Sequence, residues 1–302
     1  MTGPIVECVP NFSEGKDARK VDAIAAAVAS VQGIAVLDIT LDPDHNRSVI
    51  TFAGPAASVG EAALRAVAQA VETIDLTRQS GVHPRIGAAD VVPFVPVQNI
   101  TLKECEDLAA AVGEQIWRRL HVPVYLYEAA ARRPDRANLE TIRRGGFEKL
   151  RDLVQTDPDR RPDFGQAALH PTAGATVVGA RKFLIAFNIN LNTPDVKIAQ
   201  AIAKKIRASS GGLPFVKAMG VRLKSRNLAQ VSMNLTDFEM TPISLVFTIV
   251  RARAALARVE IAGSEIVGLI PQKALEGSED WLPTVENFNP SLILENRLWN
   301  ML

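Results

Sequence analysis

His83 is the residue in this chain whose neighbours best suit it to moving a proton. It lies in the run Gly81-Val82-His83-Pro84-Arg85-Ile86-Gly87-Ala88-Ala89-Asp90, in a chain with only four histidines. An imidazole changes charge near neutral pH, so it can serve one reaction first as base and then as acid. Pro84 biases the backbone of His83 towards the extended region, which fixes the direction of the ring. Gly81 and Gly87 permit a turn or a close backbone approach there. A surface position would explain a lone loop histidine just as well. The Gly, Pro, Arg and Asp packed around this one argue for chemistry.

Three further segments stand out. Asn11-Phe12-Ser13-Glu14-Gly15 places polar groups directly after an apolar strand, where helix capping by Ser13 or Asn11 is the competing explanation. Asp42-Pro43-Asp44-His45-Asn46-Arg47 reads as a hairpin tip, and a surface turn accounts for all of it but Arg47. Pro162-Asp163-Phe164-Gly165 and Gly174 to Lys182 flank a proposed junction. Several chemistries drop out. Gly174, Gly179 and Lys182 miss the P-loop spacing, and Gly-x-Gly-x-x-Gly is absent. No two of His45, His83, Asp90 and His170 have helical metal-ligand spacing, so no metal is expected. The Gly-x-Ser-x-Gly elbow of a serine hydrolase is missing as well. What remains is one imidazole, asparagines at a strand end (Asn188, Asn190, Asn192) and scattered arginines. That set suits group transfer to or from a small molecule bearing carboxylates, which a guanidinium can clamp with two parallel hydrogen bonds.

The elements that must position these groups follow from periodicity. The 302 residues are 47% apolar and 22% charged, a balance that buries a sizeable core. A net charge of +1 gives no global field for nucleic acid or an anionic membrane, so neither is an expected partner. Cys8 and Cys105 fit neither a zinc spacing nor a disulfide framework. With no leading signal pattern and no apolar run near 18 residues, a cytoplasmic protein is expected. Strands are predicted at 5–10, 34–39, through Val49 and Phe52, and at 91–97, with helices at 18–30 and 58–74. Thr101 and Glu104 have capping-box spacing for a third helix. Residues 123–127 give an additional strand, and 132–172 read as a charged helical excursion and a long loop outside the core. The second half repeats the order, with strands at 182–191, 215–223, 228–235 and 265–269 and helices at 194–208 and 242–259. An amphipathic helix at 291–301 follows. The expected fold is α/β of the α+β kind: two ferredoxin-like β-α-β-β-α-β subdomains, 1–180 and 181–302.

Several longer runs, in order, resemble the formiminotransferase family. They are Val6 to Gly15, His83 to Asp90, Val122 to Tyr127, Gly179 to Asn190, Asn227 to Ser232 and Val267 to Pro271. The resemblance spans about residues 4–275. It implies that the two subdomain sheets face a shared folate-binding cleft or tunnel. It also implies transfer of a formimino group from N-formimino-L-glutamate to N5 of tetrahydrofolate, as in histidine breakdown, with His83 as the catalytic residue. The folate segment would be Phe164, Gly165, Gln166, Ala167, Ala168, Leu169, His170, Pro171, Thr172 and Ala173. Substrate carboxylates need local cations in a near-neutral chain, and Arg47, Arg85, Arg181 and Lys182 are the candidates, with Asn11, Asn188 and Asn190 beside them. Within the folate segment, residues 166–170 depart from vertebrate members. Thr40 stands where those members have an acidic residue, leaving Asp38, Asp42 or Asp44 as an acidic partner for His83. The resemblance further implies a homodimer, a folate that can be polyglutamylated, and a stand-alone form without a cyclodeaminase domain. Transfer of formyl rather than formimino, and folate binding without catalysis, are the competing readings.

Overall fold

The computed structural model describes residues 3–43, 45–79 and 84–301. The chain divides into two compact units that meet in sequence between Arg181 and Lys182.

In the first unit, strand β1 (Ile5–Cys8) is buried throughout. Val9 and Pro10 interrupt it, and β2 (Asn11–Phe12) carries the line onward, pairing with the same neighbours. The polar turn expected at Asn11 therefore starts only at Ser13. Helix α1 (Ala18–Ala29) begins on Asp17, whose carboxylate accepts the Arg19 N–H, and it buries Val21, Ile24, Ala25 and Val28 at helical spacing. A hairpin of β3 (Ala35–Asp42) and β4 (Arg47–Pro55) follows, in register Asp42 against Arg47. Helix α2 (Ala56–Thr73) and β5 (Ala89–Gln98) follow in sequence. Helix α3 (Leu102–Leu120) opens on the Thr101–Glu104 capping box that the sequence predicts. After it come β6 (Val124–Glu128), α4 (Leu139–Ile142), α5 (Gly146–Leu153) and β7 (Thr176–Ala180).

The sheet order is β3-β4-β1/β2-β5-β7-β6, with β7 parallel to both β5 and β6 and the remaining pairs antiparallel. The run 174–182, expected to flank a junction near residue 180, holds β7, an interior strand of the sheet, and the two units divide just beyond it. A parallel strand inside a sheet is covered on both faces and reads as an unbroken apolar run, as Val177 and Val178 do. Alternation sends Val92, Phe94, Leu126 and Val178 into the large core beneath the helices. Val91, Tyr125, Tyr127 and Val177 point the other way, into a smaller core closed by Ile142 and Leu150. The excursion at 132–172 thus builds core, contrary to the sequence expectation. Its charged composition hid a short buried set made of Ile142, Phe147, Leu150 and Val154.

The second unit runs β8 (Ile185–Leu191), α6 (Val196–Ile206), β9 (Val216–Leu223), β10 (Leu228–Leu235), α7 (Ile243–Leu256), β11 (Ile261–Val267) and α8 (Leu294–Met301). Its four strands lie antiparallel in the order β11-β8-β10-β9. Phe187, Ile189, Val231 and Met233 pack under α6 and α7 with Trp281, whose ring meets Phe187 edge-on at 5.5 Å between centroids. Strand β11 starts at Ile261, four residues before the expected Glu265, and α8 starts at Leu294, after the expected Ser291.

Candidate active site

Residues 80–83, His83 among them, lie outside the described residues, as does Asp44. Hydrogen bonds join the segments that flank them in sequence into one construction.

The tip of the β3–β4 hairpin supplies the first wall. Asn46 sits in the left-handed region at φ 51°, where asparagine is among the tolerated residues. Its Oδ1 accepts the Gly15 N–H at 3.0 Å, and its carbonyl accepts Gln79 Nε2 at 3.1 Å. Arg47 opens β4 and donates through Nη2 to Asn11 Oδ1, while Asn11 Nδ2 donates to the Val9 carbonyl at 2.8 Å. Asn11 thereby has its amide orientation fixed at both ends. Burial pushes the Arg47 guanidinium down to about 10, and repulsion from Arg143 adds to it against the attraction of Asp90 and Asp42.

The segment after His83 is fastened on both sides. Ser13 Oγ donates to the Gly87 carbonyl at 2.7 Å, and the Ser13 N–H donates to Ala88 at 2.9 Å. From the other side, Ala88 N–H reaches the Ala173 carbonyl and Ala175 N–H reaches Ile86, both at 2.9 Å. Leu76 N–H bonds the Thr172 carbonyl at 2.8 Å. Gly87 and Gly174 face each other across this seam; a Cβ on Gly87 would lie 2.0 Å from the Ala175 oxygen. Only glycine allows the two backbones to come so close.

A third attachment comes from the excursion. Asp90, 2% exposed, accepts the Ile86 N–H at 2.8 Å with one oxygen and the Arg143 guanidinium with the other. Positive φ at Gly145 and Gly146 turns the chain so that Phe147 N–H meets the Arg85 carbonyl at 2.8 Å. Arg85 donates to Glu148 at 3.0 Å and to the Gln79 carbonyl at 2.9 Å, and also to Gln79 Oε1. Its guanidinium thus ties Gln79 and Glu148 to one another. Phe12, Ser13, Asn46, Arg47, Gln79 and Asp90 line a cavity of about 10 Å³, room for one water-sized group.

Of the residues singled out from sequence, Arg47 and Arg85 line this cavity, and Asn11 joins it through Arg47. Pro171, Thr172 and Ala173 run along the seam, and His170 closes its turn, its Nδ1 accepting the Ala173 N–H at 3.0 Å. Burial, then the nearby His121, lowers the His170 imidazole from its ordinary range. Phe164 pairs with Val124 and lies under the Arg132 guanidinium, 4.5 Å from the ring centroid. Gly165 bends away at φ 131°, and Gln166, Ala167, Ala168 and Leu169 form the connection between Phe164 and His170. Arg181 hydrogen-bonds the Tyr127 phenol, which burial pushes up to about 12. Thr40 Oγ1 donates to Asp38 at 3.0 Å, and Asp42 lies 2.6 Å from His45 Nδ1, so both carboxylates have partners of their own.

Lys182, Asn188 and Asn190 belong to the second unit. Lys182 pairs with Asp237 at 2.6 Å. On the sheet face away from α6 and α7, Asn188 Nδ2 and Gln230 Nε2 both donate to Glu265 Oε1, at 2.9 and 3.0 Å. Gln230 Nε2 also reaches Asn190 Oδ1 at 2.9 Å. Arg143 is the part of this construction that sequence reasoning missed; Asp90 and Ser13 stood in singled-out runs, Ser13 only as a possible helix cap. The double glycine after Arg143 was the one available signal, since it marks a tight turn in a stretch otherwise read as solvated charge. Among the described residues, no group of three or more His, Cys, Asp or Glu could hold a metal, and no helix is long and apolar enough to cross a membrane.

Residues 5–181 match the formiminotransferase domain, N-terminal subdomain, and residues 186–296 match the formiminotransferase domain. The chain belongs to the formiminotransferase family. Among its relatives, a glutamate formimidoyltransferase from Streptococcus pyogenes is 45% identical over 295 residues, covering 97% of this chain and 98% of that one. One from Thermoplasma acidophilum is 45% identical over 296 residues, covering 97% of each. The formimidoyltransferase-cyclodeaminase of Mus musculus is 44% identical over 277 residues, 90% of this chain and 51% of that protein.

Proposed function

We propose that this protein is a glutamate formimidoyltransferase, moving the formimino group of N-formimino-L-glutamate to N5 of tetrahydrofolate. The carrying observation is the full-length likeness, at 45% identity, to two microbial proteins of that name. Tetrahydrofolate is a co-substrate in this reading, and no metal takes part. Each unit has the strand succession of a split β-α-β fold, the first enlarged by β6 and β7. Residues 1–180 would supply the catalytic histidine, and 181–302 the second formiminotransferase subdomain.

The chemistry needs one proton relay. N5 attacks the formimino carbon; its proton passes to His83, and the same imidazole returns it to the glutamate nitrogen as the carbon–nitrogen bond breaks. Glutamate leaves with that proton, and the formimino group remains on N5. A relay of this kind contributes about 10²–10⁴-fold in rate. The seam at residues 86–88 and 172–175 supports the assignment, because it anchors the chain three residues beyond His83 and runs the proposed folate segment alongside. We assign the folate role to 164–173, and carboxylate binding to Asn11, Arg47, Arg85, Arg181, Lys182, Asn188 and Asn190. A homodimeric, cytoplasmic enzyme completes the reading.

Purified protein with tetrahydrofolate and N-formimino-L-glutamate tests it: 5-formiminotetrahydrofolate and free glutamate should accumulate one for one. Transfer from N-formylglutamate with none from the formimino donor would replace this reading with a formyltransferase. Folate binding without transfer from either donor would replace it with a binding protein.

A further inference from the structure

Arg143 reaches the site from the end of α4, in a stretch whose composition reads as surface. Its side chain is 11% exposed and pairs with Asp90, itself buried. The pairing uses Nη2, one corner of a guanidinium with five N–H donors. Nε is shut off from solvent and has no acceptor among the described residues. A buried N–H left without an acceptor is costly, and an arriving anion would relieve it. Arg47 lies near enough to Arg143 to repel it, with Asp90 attracting both. Arg85, the cation nearest His83 in sequence, is already engaged with Glu148 and Gln79. A water-sized cavity lined by Arg47, Arg85 and Asp90 has the dimensions of one carboxylate oxygen, and Asp90 is what joins it to Arg143.

We propose that Arg143 and Arg47, braced by the shared Asp90, seat one carboxylate of the amino-acid donor, so that Arg143 sets donor affinity. The inference rests on the formimidoyltransferase reading for the identity of the donor. It goes beyond that reading in naming a residue outside every matched motif. Formiminoglutamate carries two carboxylates where tetrahydrofolate presents its own at the far end of the molecule from N5. A cation pair braced on Asp90 would therefore discriminate the donor from the acceptor.

The test uses the full chain with Arg143→Met, Arg143→Lys, and Arg143→Met combined with Asp90→Asn. The double variant leaves no unpaired buried carboxylate and so keeps the test sound if the single variant fails to fold. Losing charge-assisted hydrogen bonds should raise KM for formiminoglutamate by about 30-fold. KM for tetrahydrofolate should stay within about twofold. Arg143→Lys should fall between, because an ammonium keeps the charge and loses the planar fork. Calorimetric binding of glutarate, a dicarboxylate without the reacting group, should weaken in parallel. A folded double variant with unchanged donor KM overturns the proposal, and so does glutarate binding that survives Arg143→Met undiminished. Glutarate binding that depends on Arg143 in a protein that transfers nothing upholds the seat and rejects the enzymatic reading instead.

Discussion

Replacing Gly87 by alanine probes the seam that holds the His83 segment. The added Cβ would lie 2.0 Å from the Ala175 oxygen, 2.7 Å from Ala89 oxygen and 3.0 Å from the Ala175 carbonyl carbon. All three obstacles are backbone, so no side chain can swing aside. Restoring van der Waals contact requires the two segments to part by about 1 Å or more. The flanking bonds, Ala88 N–H to Ala173 and Ala175 N–H to Ile86, are 2.9 Å each, and that displacement stretches both out of hydrogen-bond range. Two buried pairs lost at about 1–3 kcal/mol apiece give a destabilisation of about 3 kcal/mol once the seam relaxes. For a unit of this size that is a fall of about 6–12 °C in Tm. If His83 carries the proton as proposed, a displacement of about 1 Å in the adjoining segment should lower kcat about 10²-fold. Calorimetry and initial-rate kinetics read both effects, with Gly3→Ala as control, since a Cβ there has nothing within 4 Å. Wild-type Tm and kcat in the Gly87→Ala protein would refute the claim that this seam positions the loop.

Other perturbations separate chemistry from scaffold. His83→Ala should leave the melting curve and folate binding nearly unchanged while cutting turnover by about two orders of magnitude or more; undiminished turnover removes the histidine from the mechanism. Trp281→Ala should destabilise the second unit by about 3–5 kcal/mol in urea titrations, because the ring is fully buried against Phe187. Trp281→Phe should cost much less, since the indole N–H it removes has no acceptor among the described residues. Burial, then the nearby His121, puts the folded-state pKa of His170 below that of the unfolded chain. Its contribution is therefore present above about pH 6.5 and lost as pH falls through the folded value. Thermal melts from neutral to acidic pH should show that loss, and His170→Asn should flatten it.

Much of this architecture is legible in the residues themselves. The apolar spacing of Val21, Ile24, Ala25 and Val28 gives α1, and Thr101 with Glu104 fixes where α3 starts. In the second unit every expected strand and helix exists, with boundaries off by a few residues where tertiary pairing extends or trims an end. The misses share a cause. Strand β7 is five residues with a glycine inside it and an arginine just after it, too short for periodicity to separate from a loop, and only its neighbours β5 and β6 make it a strand. Phe147, Leu150 and Val154 disappear among Arg, Glu, Lys and Asp, because a small core needs few apolar residues and a charged surface supplies the rest. Asn11, Arg47 and Arg85, singled out by type, do lie together in the structure. Arg143 was not singled out: its importance comes from meeting Asp90, 53 residues distant in the chain, and no local pattern encodes that encounter.

Strand β7 also dictates an order of events during synthesis. It is the last strand of its sheet to leave the ribosome, yet it belongs between two strands made earlier, β5 and β6. Until residue 180 emerges, on the order of ten to forty seconds into translation, the nascent sheet has an open slot with two unsatisfied edges facing each other. Chaperones that shield strand edges should engage this chain during that interval and release it once the slot is filled.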